Sequence, residues 1–66
     1  MPVSNYVLAR GFAAVGYKEK ALEKLEKAFQ ERDGLLIIIK TDQNFDELRG
    51  ESRFQEILKK MRLWNF

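Results

Sequence analysis

Lys18-Glu-Lys-Ala-Leu-Glu-Lys-Leu-Glu-Lys-Ala-Phe-Gln-Glu-Arg32 is the stretch whose reading decides the fold. Its apolar residues are Ala21, Leu22, Leu25, Ala28 and Phe29. They recur at the spacing of one stripe on a helix of 3.6 residues per turn, and the opposite face is Lys and Glu. A helix patterned in this way has to bury its stripe against other elements. On its outer face Glu23 stands four residues before Lys27, a helix-supporting pair, while the like-charge spacings Glu19–Glu23 and Lys20–Lys24 offset part of that gain. A solvated helix face accounts for the charge run.

Upstream, Ser4 is placed to cap a first helix from about Asn5 to Val15. Tyr6, Val7, Leu8, Ala9, Phe12, Ala13, Ala14 and Val15 leave that helix almost no polar face. A helix apolar nearly all round is covered on more than one side. Gly11, in its middle, is explained either by a close helix–helix approach or by plain tolerance, at a cost of roughly 1 kcal/mol relative to alanine. Gly16 suits the left-handed position that ends a helix. The next helix starts within two residues, so the pair forms an antiparallel hairpin. Tyr17 is expected to staple back onto Ala21 or Leu22.

Downstream, Asp33-Gly34 signals a turn. Leu35-Leu-Ile-Ile-Ile39 has the β-branched composition of a strand, but no second strand candidate exists to pair with it, which predicts a short buried helix. As an exposed strand it would instead pair between chains. Asn44 with Glu47 has the spacing of a capping box, opening a short helix through Leu48 or Arg49, and Gly50 stops it. Ser52 with Gln55 repeats that spacing, and Phe54, Ile57, Leu58 and Met61 form the stripe of a last helix to about Arg62. Leu63-Trp-Asn-Phe66 ends the sequence on two aromatics, expected to pack on the domain or on a partner.

The 66 residues carry 12 basic and 10 acidic side chains, interleaved, for a net charge of +2. That pattern has no basic block to track phosphates. Histidine and cysteine are absent, which removes the commonest general base, the commonest zinc ligand and any disulfide. No Gly-rich phosphate loop and no nucleophile beside a base is present, so no enzyme and no cofactor are expected. Asp42-x-Asn44-x-Asp46 matches the first three ligand positions of a calcium loop, but the loop's sixth and twelfth places hold Glu47 and Arg53 instead of Gly and Glu. The longest apolar run is too short to span a bilayer, and the first residues lack the pattern of a signal peptide. A single cytoplasmic domain over 1–66, with no membrane or nucleic-acid partner, is the expectation. Asp46 with Arg49, and Glu51 with Arg53, are candidate local ion pairs.

The first hairpin resembles a tetratricopeptide repeat, a two-helix unit with small and large apolar residues at set places. Leu8-Ala9 stand where the repeat has Leu-Gly, Phe12 takes the aromatic position, Gly16 falls at the turn, and Ala21 and Ala28 take the small crossing positions. Asn5, Leu25 and Asp33 stand where the repeat has Trp, a second aromatic and Pro. The second half, from Lys40 to Met61, resembles the degenerate last repeat of bacterial tetratricopeptide arrays through Asp42, Phe45, Asp46, Leu48, Arg49, Arg53 and Phe54. Gln43 and Ser52 replace its two prolines, and Glu51 its second Asp. The resemblance implies an all-α fold, an α-solenoid fragment with a repeat-type helical hairpin over 5–33 and a degenerate terminal repeat over 34–66.

It also implies a non-catalytic protein-interaction or scaffold role. Tyr6, Val7, Arg10, Phe12 and Ala14 would face a partner protein, a missing upstream repeat or a second copy in a homodimer, with Trp64 and Phe66 of the tail as further contacts. A small helical nucleic-acid-binding protein is the alternative, carried by Lys18, Lys20, Lys24, Lys27, Lys59 and Lys60.

Overall fold

The computed structural model describes residues 4–61. Three α-helices and two 3-10 helices follow one another: α1 (Asn5–Ala14), α2 (Lys18–Gln30), a first 3-10 helix (Gly34–Ile38), a second 3-10 helix (Gln43–Leu48) and α3 (Ser52–Met61). No strand occurs among the described residues, and the fold is all-α. The aromatic tail expected to pack on the domain or a partner, with Trp64 and Phe66, lies outside the described residues.

α1 begins where Ser4 accepts a hydrogen bond from the Tyr6 N–H at 3.1 Å, satisfying one of the donors that a helix start leaves open. It ends at Gly16, whose φ of 85° only glycine adopts without strain. The Gly16 and Tyr17 N–H groups turn back to the carbonyls of Ala13 and Phe12 at 3.1 and 2.9 Å. This is the paired closure known as a Schellman motif, and it brings an apolar contact between the residue after the turn and the last helical turn. That contact is Tyr17 on Phe12, ring centroids 6.3 Å apart and near parallel. Tyr17, expected to staple back onto Ala21 or Leu22, stacks on α1 through this ring pair. α2 closes in the same way, with Arg32 and Asp33 donating to Phe29 and Ala28 at 3.0 Å each. Here the left-handed residue is Arg32, at φ 54°.

α1 packs chiefly against α2, the second 3-10 helix lies on α1, and α3 lies on α2. The stripe on α2 does what its spacing requires: Ala21, Leu22, Leu25 and Ala28 are buried. Ala9 of α1 is fully buried as well, so three alanines in the hairpin allow its backbones to approach. Glu23 and Lys27 meet at 4.0 Å on the solvent side with both side chains about half exposed, which limits the pair to tenths of a kcal/mol.

The Leu35–Ile39 run is helical, as expected, but it is a 3-10 turn and not wholly buried. Leu36 and Ile39 are buried while Leu35, Ile37 and Ile38 stay exposed. A 3-10 turn repeats every three residues, so only the pair three apart can share the inward face. Asp33 caps this turn by accepting from the Leu35 N–H at 3.0 Å. Its other oxygen receives the Ser4 hydroxyl, which ties the cap of α1 to the cap of the turn after α2. Asn5 reinforces the same junction by donating to Glu31 at 2.6 Å. The Ser4 hydroxyl and the Leu35 and Tyr6 N–H groups hold the Asp33 carboxyl below its ordinary pKa against the opposing effect of burial.

The second 3-10 helix starts two residues earlier than its capping-box spacing suggests. Asp42, not Asn44, is the cap, accepting from the Asn44 N–H at 3.0 Å. At α3 the second expected box is also remade, because the Gln55 amide donates to the Arg49 carbonyl. Phe54, Ile57 and Met61 are buried and Leu58 packs against the core, as the stripe on α3 implies. The expected Asp46–Arg49 pair forms at 2.9 Å. Arg53 does not pair with Glu51. It reaches α2, meeting Glu26 at 2.6 Å and Glu19 at 2.9 Å, and so fixes the start of α3 along α2. These side chains are well exposed, and each pair contributes only about 0–1 kcal/mol.

Three aromatic rings join the elements into one core. Tyr6 of α1 meets Phe45 edge to face at 5.4 Å, and Phe45 meets Phe54 of α3 at 6.2 Å. All three are fully buried. Such ring pairs add about 0.5–1.5 kcal/mol beyond the area they bury.

Candidate partner-binding surface

α1 has two chemically distinct sides. The inward side is clasped by Asp42. One carboxylate oxygen of Asp42 accepts from the Tyr6 hydroxyl at 2.6 Å and from Arg10 Nε at 3.1 Å. The other accepts from the backbone and side-chain N–H groups of Asn44 at 3.0 and 2.9 Å. Arg10 also lies over the Tyr6 ring, 5.3 Å from its centroid, a cation–π arrangement. Arg49 donates to the Asp42 carbonyl at 3.1 Å, holding the capping residue from the far side of its turn.

The Asp42 side chain is only 6% exposed, so these partners replace the water it has lost. Burial raises the Asp42 pKa, but the Tyr6 hydroxyl, the Asn44 N–H groups and Arg10 together outweigh it and hold the carboxyl below its ordinary range. Burial, with Asp42 next to it, pushes the Tyr6 phenol well above its ordinary value, so it stays a neutral donor. No buried side-chain nitrogen or oxygen among the described residues lacks a hydrogen-bond partner. Asp42 and Asp46 are thus engaged with Tyr6, Arg10, Asn44 and Arg49. No group of three His, Cys, Asp or Glu able to hold a metal ion exists among the described residues.

The outward side is a shallow apolar groove of about 320 Å³ lined by Val7, Leu8, Gly11, Phe12, Val15 and Tyr17. None of its lining residues is charged. Val15 and Tyr17 are 66% and 61% exposed and Val7 42%, a cluster of large apolar side chains at the surface. The turn at Gly16 creates the groove's far wall. By closing α1 on Phe12 it lays the Tyr17 ring beside that residue, continuing the apolar surface past the helix end.

The residues expected to meet a partner divide between the two sides. Val7 and Phe12 line the groove, and Ala14 is exposed beside it. Tyr6 does not face outward: it is fully buried, because its hydroxyl finds Asp42 and its ring finds Phe45. Arg10 is half-buried and turned to Asp42. Leu8, Gly11, Val15 and Tyr17 complete the groove without having been singled out for it. Leu8 and Val15 belong to the all-round apolar pattern of α1 that suggested an outward face. Tyr17 could be found only by recognising that Gly16 folds the chain back on Phe12.

A second groove, of about 330 Å³, lies between α2 and α3 and is lined by Glu26, Phe29, Arg53, Ile57 and Lys60 among others. Its central cation, Arg53, is already committed to Glu26 and Glu19. No helix among the described residues is long and apolar enough to cross a membrane.

Compared with family models, with curated proteins and with solved structures, the chain gives no match.

Proposed function

We propose that this chain is a non-catalytic protein-association module, a tetratricopeptide-like helical hairpin with a terminal capping unit, that docks protein through the outward face of α1. One observation carries the reading: Val7, Val15 and Tyr17 stay exposed around an uncharged groove while the opposite side of the same helix is held fast by Asp42. A fixed inward side means that the outward residues cannot be buried by rolling the helix. The Lys and Glu residues of α2, by contrast, alternate in sign and offer no field that favours one charged partner.

Site-specific photo-crosslinking tests the reading. A photoreactive side chain at Val15 of the full chain, in extract of the source cells and in the purified protein, is expected to give discrete crosslinks to protein. The same group at Lys20, on the solvated face of α2, serves as control. Crosslinks no stronger from Val15 than from Lys20 would contradict the proposal.

A further inference from the structure

We infer that the 35–39 run, wound as a 3-10 turn in the folded chain, is a self-pairing strand: once the turn opens, it pairs antiparallel with the same run of a second copy, Ile37 opposite Ile37. The inference is independent of the α1 face. Composition and conformation disagree in this segment. Five successive apolar residues, three of them isoleucine, favour extended backbone, and no charge interrupts them. The folded chain holds them instead in a 3-10 turn, a helix of poorer hydrogen-bond geometry. That turn sinks Leu36 and Ile39 into the core and leaves Leu35, Ile37 and Ile38 at the surface. The main packing contacts are α1 on α2, the second 3-10 helix on α1 and α3 on α2, and the turn takes no part in them. Its hydrogen bonds are local: the Asp33 cap on the Leu35 N–H, and the Leu36, Ile39 and Thr41 N–H groups each bonded three residues back. An element with two buried side chains and local hydrogen bonds opens at a lower cost than the whole chain.

An opened strand presents a row of backbone N–H and C=O groups that another strand can pair. The rest of the chain holds no second strand candidate, so in the pure protein the matching strand is the same run of another copy. The run also complements itself. In an antiparallel register centred on Ile37, Leu35 lies opposite Ile39 and Leu36 opposite Ile38, which sets apolar on apolar on both faces. Lys40 then falls opposite Gly34, so the two lysines lie at opposite ends of the pair. A parallel pairing in register would set Lys40 against Lys40, and like charges directly opposite are destabilising.

Prolonged incubation of the purified full chain at high concentration, below its melting temperature, tests the inference, with infrared spectroscopy following intermolecular β-sheet. Sheet-containing assemblies are expected to grow from the helical chain. Ile37→Lys is expected to slow their growth by about tenfold or more, because two lysines would meet at the centre of the register. The variant monomer stays folded, since Ile37 is 61% exposed. Val15→Lys removes a similarly exposed apolar side chain from α1 and is expected to assemble like the parent. The chain has no cysteine, so single thiols report the register. Assembled and oxidised, Ile37→Cys is expected to give disulfide-linked pairs and Lys40→Cys is not, because only the former brings two thiols directly opposite. A parent that forms no sheet at any concentration overturns the inference, as does Ile37→Lys assembling at the parent's rate. Lys40→Cys linking as readily as Ile37→Cys, or Val15→Lys blocking assembly as fully as Ile37→Lys, overturns it too.

Discussion

Phe45→Ala is expected to leave most of the chain unfolded at 25 °C. Phe45 is fully buried and is the middle of the three rings, touching Tyr6 of α1 on one side and Phe54 of α3 on the other. Truncating a core phenylalanine costs about 3–5 kcal/mol, the lost transfer energy plus the cavity left behind. A domain of this size has a total stability of about 3–10 kcal/mol, and small domains lie toward the low end of such a range. The hole would open where α1, the second 3-10 helix and α3 meet, so no single element could close it by shifting. Far-ultraviolet circular dichroism and a urea titration measure the effect. A loss below about 1 kcal/mol would mean that the ring is not central to the packing.

Asp42→Ala is expected to cost about 2–4 kcal/mol, more than any ion pair on the surface of this chain. The substitution removes a cap, typically worth about 1 kcal/mol, and strands the buried Tyr6 hydroxyl, which costs about 1–3 kcal/mol more. If the hydroxyl is the larger part, adding Tyr6→Phe to Asp42→Ala recovers stability, and the two changes are less than additive in a double-mutant cycle. Full additivity would show that the hydrogen bond contributes nothing of its own.

The same carboxylate sets an acid limit. Its folded pKa is held below the ordinary 3.8, so the unfolded chain binds its proton first on acidification. The Asp42 contribution is complete above that value and is lost as pH falls through the lower, folded one. Asp33 and Glu26 act in the same direction: Ser4 is the main cause for Asp33 and Arg53 for Glu26. Stability is therefore expected to be nearly flat from neutral pH down to about pH 5 and to fall steeply below pH 4, and Asp42→Ala should make that fall shallower. An unchanged acid transition in the variant would contradict the assignment.

The three α-helices were legible in the sequence because each carries its own signals. Ser4 caps α1, Gly16 ends it, the stripe from Ala21 to Phe29 defines one side of α2, and Phe54, Ile57 and Met61 mark the buried side of α3. These are local features, decided within a few residues. The contacts that orient the helices are not local. Tyr6 and Asp42 are 36 residues apart, and Arg53 finds Glu26 and Glu19 across 27 and 34. Spacing along the chain points Arg53 at its neighbour Glu51, and only the packing of α3 on α2 redirects it.

Tyr6 illustrates a second limit. On a helix apolar nearly all round, periodicity cannot say which residues turn inward. The deciding fact is the polar end of the tyrosine, which must reach a partner when buried. The 35–39 run shows a third. Its composition permits a fully buried segment, but a 3-10 turn exposes Ile37 and Ile38 whatever their apolarity. The groove on α1 was half visible for a related reason: Val7 and Phe12 follow from the pattern, whereas the place of Tyr17 follows from the backbone closure at Gly16.

The two tyrosines offer the most direct measurement of the central claim, that α1 is clasped on one side and open on the other. Nitration of dilute protein at mildly alkaline pH, mapped by mass spectrometry, reports each ring separately. Tyr17, 61% exposed, is expected to react readily, and Tyr6, with no exposed surface and a phenol held neutral, to remain unmodified until the chain unfolds. Tyr6 reacting as fast as Tyr17 in folded protein would contradict the account, because α1 would then not be held by Asp42 and its outward face would not be defined.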